Sequence, residues 1–99
     1  MNPAMINKLK KMQKEMLDAQ NRLHESIFEG TAGGGLVKVE VKGDKTVLSV
    51  KINPDVLNPD DQELLEDSIV AALNDAFKNV DEETEDVMGA FTGGMPGLF

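Results

Sequence analysis

Between residues 5 and 23, apolar side chains return at alternating steps of four and three: Met5, Leu9, Met12, Met16, Ala19 and Leu23. This is a heptad seam, two positions in every seven, and it predicts one unbroken helix over the first two dozen residues. Asn2 and Pro3 supply its start, a capping side chain followed by proline at the first helical position. About 24 residues of helix measure roughly 36 Å, too long for a domain this small to cover. A seam so narrow meets another helix, so the sequence implies a partner, most simply a second copy of the chain. Lys8, Lys10, Lys11, Lys14 and Arg22 lie on the same helix and make up half of the chain's positive charge.

After this helix the period changes. Residues 27–31 read as a short strand, and Gly33, Gly34 and Gly35 as the turn that follows it. Residues 36–41 alternate, with Val37, Val39 and Val41 on one face and Lys38 and Glu40 on the other. A hairpin turn is predicted at 42–46, around Gly43 and Asp44. Residues 47–52 then alternate again, placing Leu48, Val50 and Ile52 inward and Ser49 and Lys51 outward. Val56 and Leu57 are expected to return to the core. Asn58, Pro59, Asp60 and Asp61 announce a helix: a cap, a first-turn proline, and carboxylates at the positive end of its dipole. Leu65, Ile69, Ala72, Leu73, Ala76, Phe77 and Val80 form a stripe broad enough to cover a sheet. Residues 81–87 continue as a separate acidic helix or as an extension of this one. The expected fold is α+β: a long N-terminal helix, a three-stranded antiparallel sheet and C-terminal helices. Residues 1–92 form a single domain, and 93–99, glycine-rich but ending in Leu98 and Phe99, form a flexible tail.

The chain has no cysteine, hence no disulfide framework and no thiolate chemistry. No apolar run approaches the roughly 18 residues of a membrane span, and the N-terminus lacks a signal peptide's apolar stretch, so a cytoplasmic protein is expected. The formal net charge of −8 conceals an asymmetry: residues 1–53 sum to +3 and residues 54–99 to −11, with Lys78 the one cation of the second part. As a whole the chain repels nucleic acid. Over a Debye length of about 8 Å, however, a phosphate senses only the face it touches. A protruding basic helix is thus compatible with weak, salt-sensitive binding.

His24, the single histidine, sits off the seam with no nucleophile in context, and is read as a solvated residue rather than a general base. Asp81, Glu82, Glu83, Glu85 and Asp86 lack the spacing of a calcium loop. Gly30 to Gly35 lead into a strand instead of a helix, which removes the phosphate-loop reading. No catalytic residue, metal or cofactor is expected, and the chain is read as non-enzymatic. The lysines differ: four fall within seven residues, with no acid before Glu15. An unbalanced patch on the most extended element suits phosphate contact without sequence preference. The alternative is an adaptor that binds other proteins through the acidic face, the Met-lined helix pair or the Leu98–Phe99 end.

The arrangement resembles the bacterial YbaB/EbfC family of nucleoid-associated proteins over nearly its whole length. The resemblance is carried by Lys8-Leu9-Lys10-Lys11-Met12-Gln13-Lys14-Glu15-Met16, by Glu29-Gly30-Thr31-Ala32-Gly33-Gly34-Gly35-Leu36-Val37-Lys38-Val39 and by Ile52-Asn53-Pro54. It continues through Leu65-Glu66-Asp67-Ser68-Ile69-Val70-Ala71-Ala72-Leu73-Asn74-Asp75-Ala76, Met88-Gly89-Ala90-Phe91 and Gly94-Met95-Pro96-Gly97-Leu98-Phe99. The resemblance implies a homodimer whose paired helices project like tweezers from a central sheet. It also implies binding of double-stranded DNA with little sequence preference, a change in DNA shape, and a place at the nucleoid. Family DNA contact on the first and last helices maps here onto Lys8, Lys10, Lys11, Lys14, Arg22 and Lys78. The last helix departs from the pattern, since Asp81-Glu82-Glu83-Thr84-Glu85-Asp86 stands where members carry Lys/Arg. Met5, Leu9, Met12, Met16 and Leu23 are the expected dimer contacts.

Overall fold

Asn2 opens α1 (Pro3–Glu25) by accepting the Met5 backbone N–H on its side-chain oxygen at 2.8 Å. The helix ends where Ser26 turns extended and donates both its N–H and its hydroxyl to the Arg22 carbonyl. Three antiparallel strands follow, β1 (Ile27–Ala32), β2 (Val37–Lys42) and β3 (Val47–Ile52), ordered β1-β2-β3. Two single turns of 3-10 helix, Pro54–Val56 and Pro59–Asp61, lead into α2 (Gln62–Thr92). The computed structural model describes residues 2–92, so the tail expected at 93–99 lies outside them.

Strand bounds fall within one residue of those read from sequence. Gly33, Gly34 and Gly35 all take positive φ (63°, 68° and 97°), which explains why the first hairpin turn consists of glycine. The acidic stretch at 81–86 does not start a new helix. It lies within the second half of α2, which runs for 31 residues.

The core is one layer of sheet under one helix. Val37, Val39 and Val41 are fully buried beneath Ala72, Ala76 and Val80 of α2. Gly30 lets the two layers touch: a Cβ there would overlap the backbones of Ala72 and Ala76. Register places Phe28, Gly30 and Ala32 beside the three valines, and Val50 and Ile52 on their other side.

Two inward expectations fail on β3. Val50 lies on the inner face yet is 42% exposed, and Leu48 is 48% exposed. A register shift between Glu40 and Val41 makes Leu48 the extra residue of a bulge, opposite no partner. The cause of Val50's exposure is width. A helix about 10 Å across spans two strands spaced about 4.8 Å apart, and α2 lies over β1 and β2. Leu57 likewise stays 60% exposed, while Val56 is buried.

The outer face of the sheet is a charged ladder. Lys38 pairs with Glu29 at 3.1 Å, Lys51 with Glu40 at 3.7 Å, and Lys42 with Glu25 at 3.2 Å. Ser49 also donates to Glu40.

Candidate nucleic-acid interface

The shape of the molecule decides what a large partner meets first. A compact chain of this length has a radius of gyration near 13 Å; here it is 19.4 Å, with extents of 69 × 24 × 14 Å. The excess comes from α1 and α2, which leave the sheet together. Gln20, Leu23 and His24 face Val80, Asp81, Thr84 and Met88 across a cleft of about 400 Å³ floored by Gly43, Asp44 and Lys45. From there α1 runs back toward its N-terminus as α2 runs forward, an antiparallel pair.

Burial along the seam of α1 falls off with distance from the sheet. Leu23 and Ala19 are buried, Met16 and Met12 half-buried, and Leu9 and Met5 are 41% and 53% exposed. The second helix that the seam demands is therefore supplied in part by α2 of the same chain. Leu23, expected at a dimer contact, spends its surface inside its own chain. The outer part of the seam remains uncovered.

The cations divide into two groups. Lys38, Lys42, Lys45, Lys51 and Lys78 each lie within 4.0 Å of a carboxylate, and Lys11 reaches Glu15 at 4.0 Å. Lys8, Lys10, Lys14 and Arg22 make no ion pair with a described residue, and all four are exposed on α1. At 100° per residue, Lys10, Lys11 and Lys14 occupy the arc opposite the seam, and Lys8 flanks it. The surplus positive charge is thus concentrated on the far part of the rod.

Lys78 stands apart. It lies near the sheet end of the helix pair, roughly 14 Å or more along the axis from Lys14, and its ammonium is 3.8 Å from Glu82. The structure gathers Lys8, Lys10, Lys11 and Lys14, sets Arg22 two turns behind them, and leaves Lys78 among acids.

His24 is half-buried against the cleft rather than solvated. In the same cleft Asp44 accepts the Thr46 backbone N–H at 2.9 Å. Hydrogen bonds from the Thr46 hydroxyl and backbone hold its carboxyl below the usual carboxylate range. Lys45, the one non-glycine residue at positive φ (69°) among those described, ties this turn to α2 through Asp81 at 3.1 Å. Neither contact carries a sequence signal beyond the turn itself.

The model of the YbaB/EbfC DNA-binding family matches residues 1–95. The chain belongs to the YbaB/EbfC family. It is 50% identical to a nucleoid-associated protein of Oceanobacillus iheyensis, with 96% of each chain covered. It is 47% identical to a nucleoid-associated protein of Clostridium novyi, over 96% of this chain and 85% of that one. Among solved structures, an uncharacterized protein of Helicobacter pylori superposes with a TM-score of 0.75 at 26% identity, covering 94% of this chain and 99% of that one. The YbaB/EbfC fold therefore extends to a chain whose α2 carries five acids within six residues, Asp81 to Asp86.

Proposed function

We propose that this YbaB/EbfC protein acts at the bacterial nucleoid as a homodimer, binding duplex DNA with little sequence preference and altering its conformation. The carrying observation is the unpaired surplus of Lys8, Lys10 and Lys14 on the projecting end of α1, in a chain whose other lysines are tied to carboxylates. Lys11 adds to this end, since an exposed pair with Glu15 is worth little and yields to a phosphate. Arg22 is a secondary contact, and Lys78 contributes least because Glu82 competes for it. Ammonium groups on a helix surface bind as point charges and carry no code for base edges, which supports low specificity. Two copies carry two such prongs, with Met5, Leu9, Met12 and Met16 available for contact between them. The two prongs straddle or bend a duplex in a way that a single prong cannot.

Binding is expected to be micromolar or weaker at physiological salt and to strengthen steeply as salt falls. Each phosphate contact contributes a slope of about −0.9 in log affinity against log salt. Titration of a mixed-sequence duplex by fluorescence anisotropy at several salt concentrations tests this. Changing Lys8, Lys10 and Lys14 together to Glu should flatten the slope by about 2 to 3 per protomer, whereas Lys78→Glu should alter it by less than one contact. An unchanged slope in the triple variant would remove α1 as the site.

A further inference from the structure

The charges of the helix pair are sorted along its length. On α2 the acids Asp81, Glu82, Glu83, Glu85 and Asp86 are all exposed, and no charged side chain follows Asp86. Residues 87–92, the outermost described part of α2, are therefore neutral. On α1 the outer part holds Lys8, Lys10, Lys11 and Lys14 against Glu15 alone, while Asp18, Arg22 and Glu25 stand nearer the sheet. Two of the acids on α2 are answered: Asp81 pairs with Lys45 and Glu82 with Lys78. Glu83 and Asp86 make no ion pair with a described residue.

The cleft between the helices fixes their alignment. Residues 20–24 of α1 face residues 80–88 of α2 across it, so Arg22 is level with Glu83 to within a turn. The cleft also marks one flank of the pair, through Gln20 and His24 on α1 and Asp81 and Met88 on α2. At 100° per residue Arg22 falls on the opposite flank of α1, and Glu83 on the opposite flank of α2. Asp86 follows Glu83 one turn farther out, whereas Glu85 turns toward the cleft side. A phosphate drawn to Arg22 thus has Glu83 and Asp86 as neighbours, with Asp18 one turn away on α1 itself. Lys14, Lys11 and Lys8 lie about 12, 17 and 21 Å beyond Arg22 along the axis. They are outside the roughly 8 Å over which the carboxylates of α2 are felt.

We infer that Glu83 and Asp86 are an electrostatic stop, which holds a duplex on the outer turns of α1 and denies Arg22 a full phosphate contact. This rests on the DNA reading above and adds to it the depth at which the duplex sits. Repulsion of this kind acts on any phosphate that reaches the inner turns, so it sets position without reading bases. The neutral stretch 87–92 offers no such barrier, and the lysines opposite it are left free to bind. Glu83 and Asp86 are therefore positioning residues: they touch no DNA, and they decide which cations do.

Salt titrations of a mixed-sequence duplex against the full chain test it. Glu83→Gln with Asp86→Asn should tighten binding roughly fivefold at low salt, the effect of two unit charges about 8 Å away in water. The salt slope should steepen by about 0.9 per protomer as Arg22 gains a phosphate. Adding Arg22→Gln to that variant should remove the extra slope, whereas Arg22→Gln in the native chain should change it by less than about 0.3. A second measurement needs no variant: duplex should shift the native amide resonances of residues 8–14 and leave those of residues 20–25 in place. A neutralised variant with the native slope, or a native Arg22→Gln that loses a full contact, would overturn the stop while the lysine site stands. So would duplex-induced shifts at residues 20–25 as large as those at 8–14. If Lys8/Lys10/Lys14→Glu also keeps the native slope, the DNA reading on α1 fails, and the stop with it.

Discussion

Gly30 occupies a point where the backbones of β1 and α2 meet without side chains between them. A methyl group there would collide with main-chain atoms of Ala72 and Ala76, which cannot rotate away as a side chain would. Gly30→Ala should therefore cost about 3 kcal/mol, the upper part of the overpacking range, read as a fall in the urea midpoint at unchanged slope. Sequence gave Gly30 no mark beyond its place in a glycine-rich segment, because a close approach depends on what α2 brings to it. Asp44 is a second local case. Its depressed ionisation owes first to the Thr46 hydroxyl and next to the Thr46 backbone N–H. A carboxyl whose folded value lies below its unfolded one stabilises the fold above the unfolded value, and the contribution disappears as pH falls through the folded value. Carboxyl-carbon NMR titration should place the Asp44 midpoint below that of an ordinary aspartate. Thr46→Val should move it upward without restoring it fully, since the backbone bond remains.

At the level of elements, α1, the sheet and the start of α2 were legible because each rests on local chemistry: Asn2 and Pro3, the period-two valines, and Asn58 with Pro59. What each element meets was less legible. The seam of α1 correctly demanded a helix, yet its inner half is answered by α2 of the same chain. Nothing in the acids at 81–86 distinguished a new helix from a continuing one, so that answer was hidden. The alternation of β3 named the right face for Val50 but could not say that α2 is too narrow to roof it. Two contacts to β1 were invisible for a related reason: Asn79 donates its side-chain amide to the Glu29 carbonyl at 2.8 Å, and the Thr31 N–H donates to Asp75 Oδ2 at 3.0 Å. Asp75 reads as the wet side of a helix until the strand edge is in place beneath it. Asn79→Ala should cost about 1 kcal/mol, an ordinary hydrogen bond, and Asp75→Ala up to about 2, as one acceptor is charged. Both should speed exchange of the Thr31 amide more than that of amides in β2.

For the whole molecule, a net charge of −8 argues against a polyanion, and the distribution of ion pairs argues for one. The two agree once distance is considered, because the acids crowd the body and the stretch of α2 beside Gln20 and His24, while the unpaired Lys8, Lys10 and Lys14 lie farther out on α1. The six candidate cations were legible as residue types, whereas their ranking was not, since pairing of Lys78 with Glu82 and of Lys11 with Glu15 is a matter of geometry. The Lys8/Lys10/Lys14→Glu variant should lose no more than about 0.5 kcal/mol of stability per substitution, as surface changes usually do. Its altered salt response would then report on DNA contact and not on unfolding.

The stopper that Asn79 and Asp75 place along β1 has a consequence for how the chain resists aggregation. A sheet that recruits strands at both margins can lengthen without limit, which is how fibres begin. Here the Glu29 carbonyl and the Thr31 N–H are already engaged by α2, so one asparagine and one aspartate close that margin to a foreign strand.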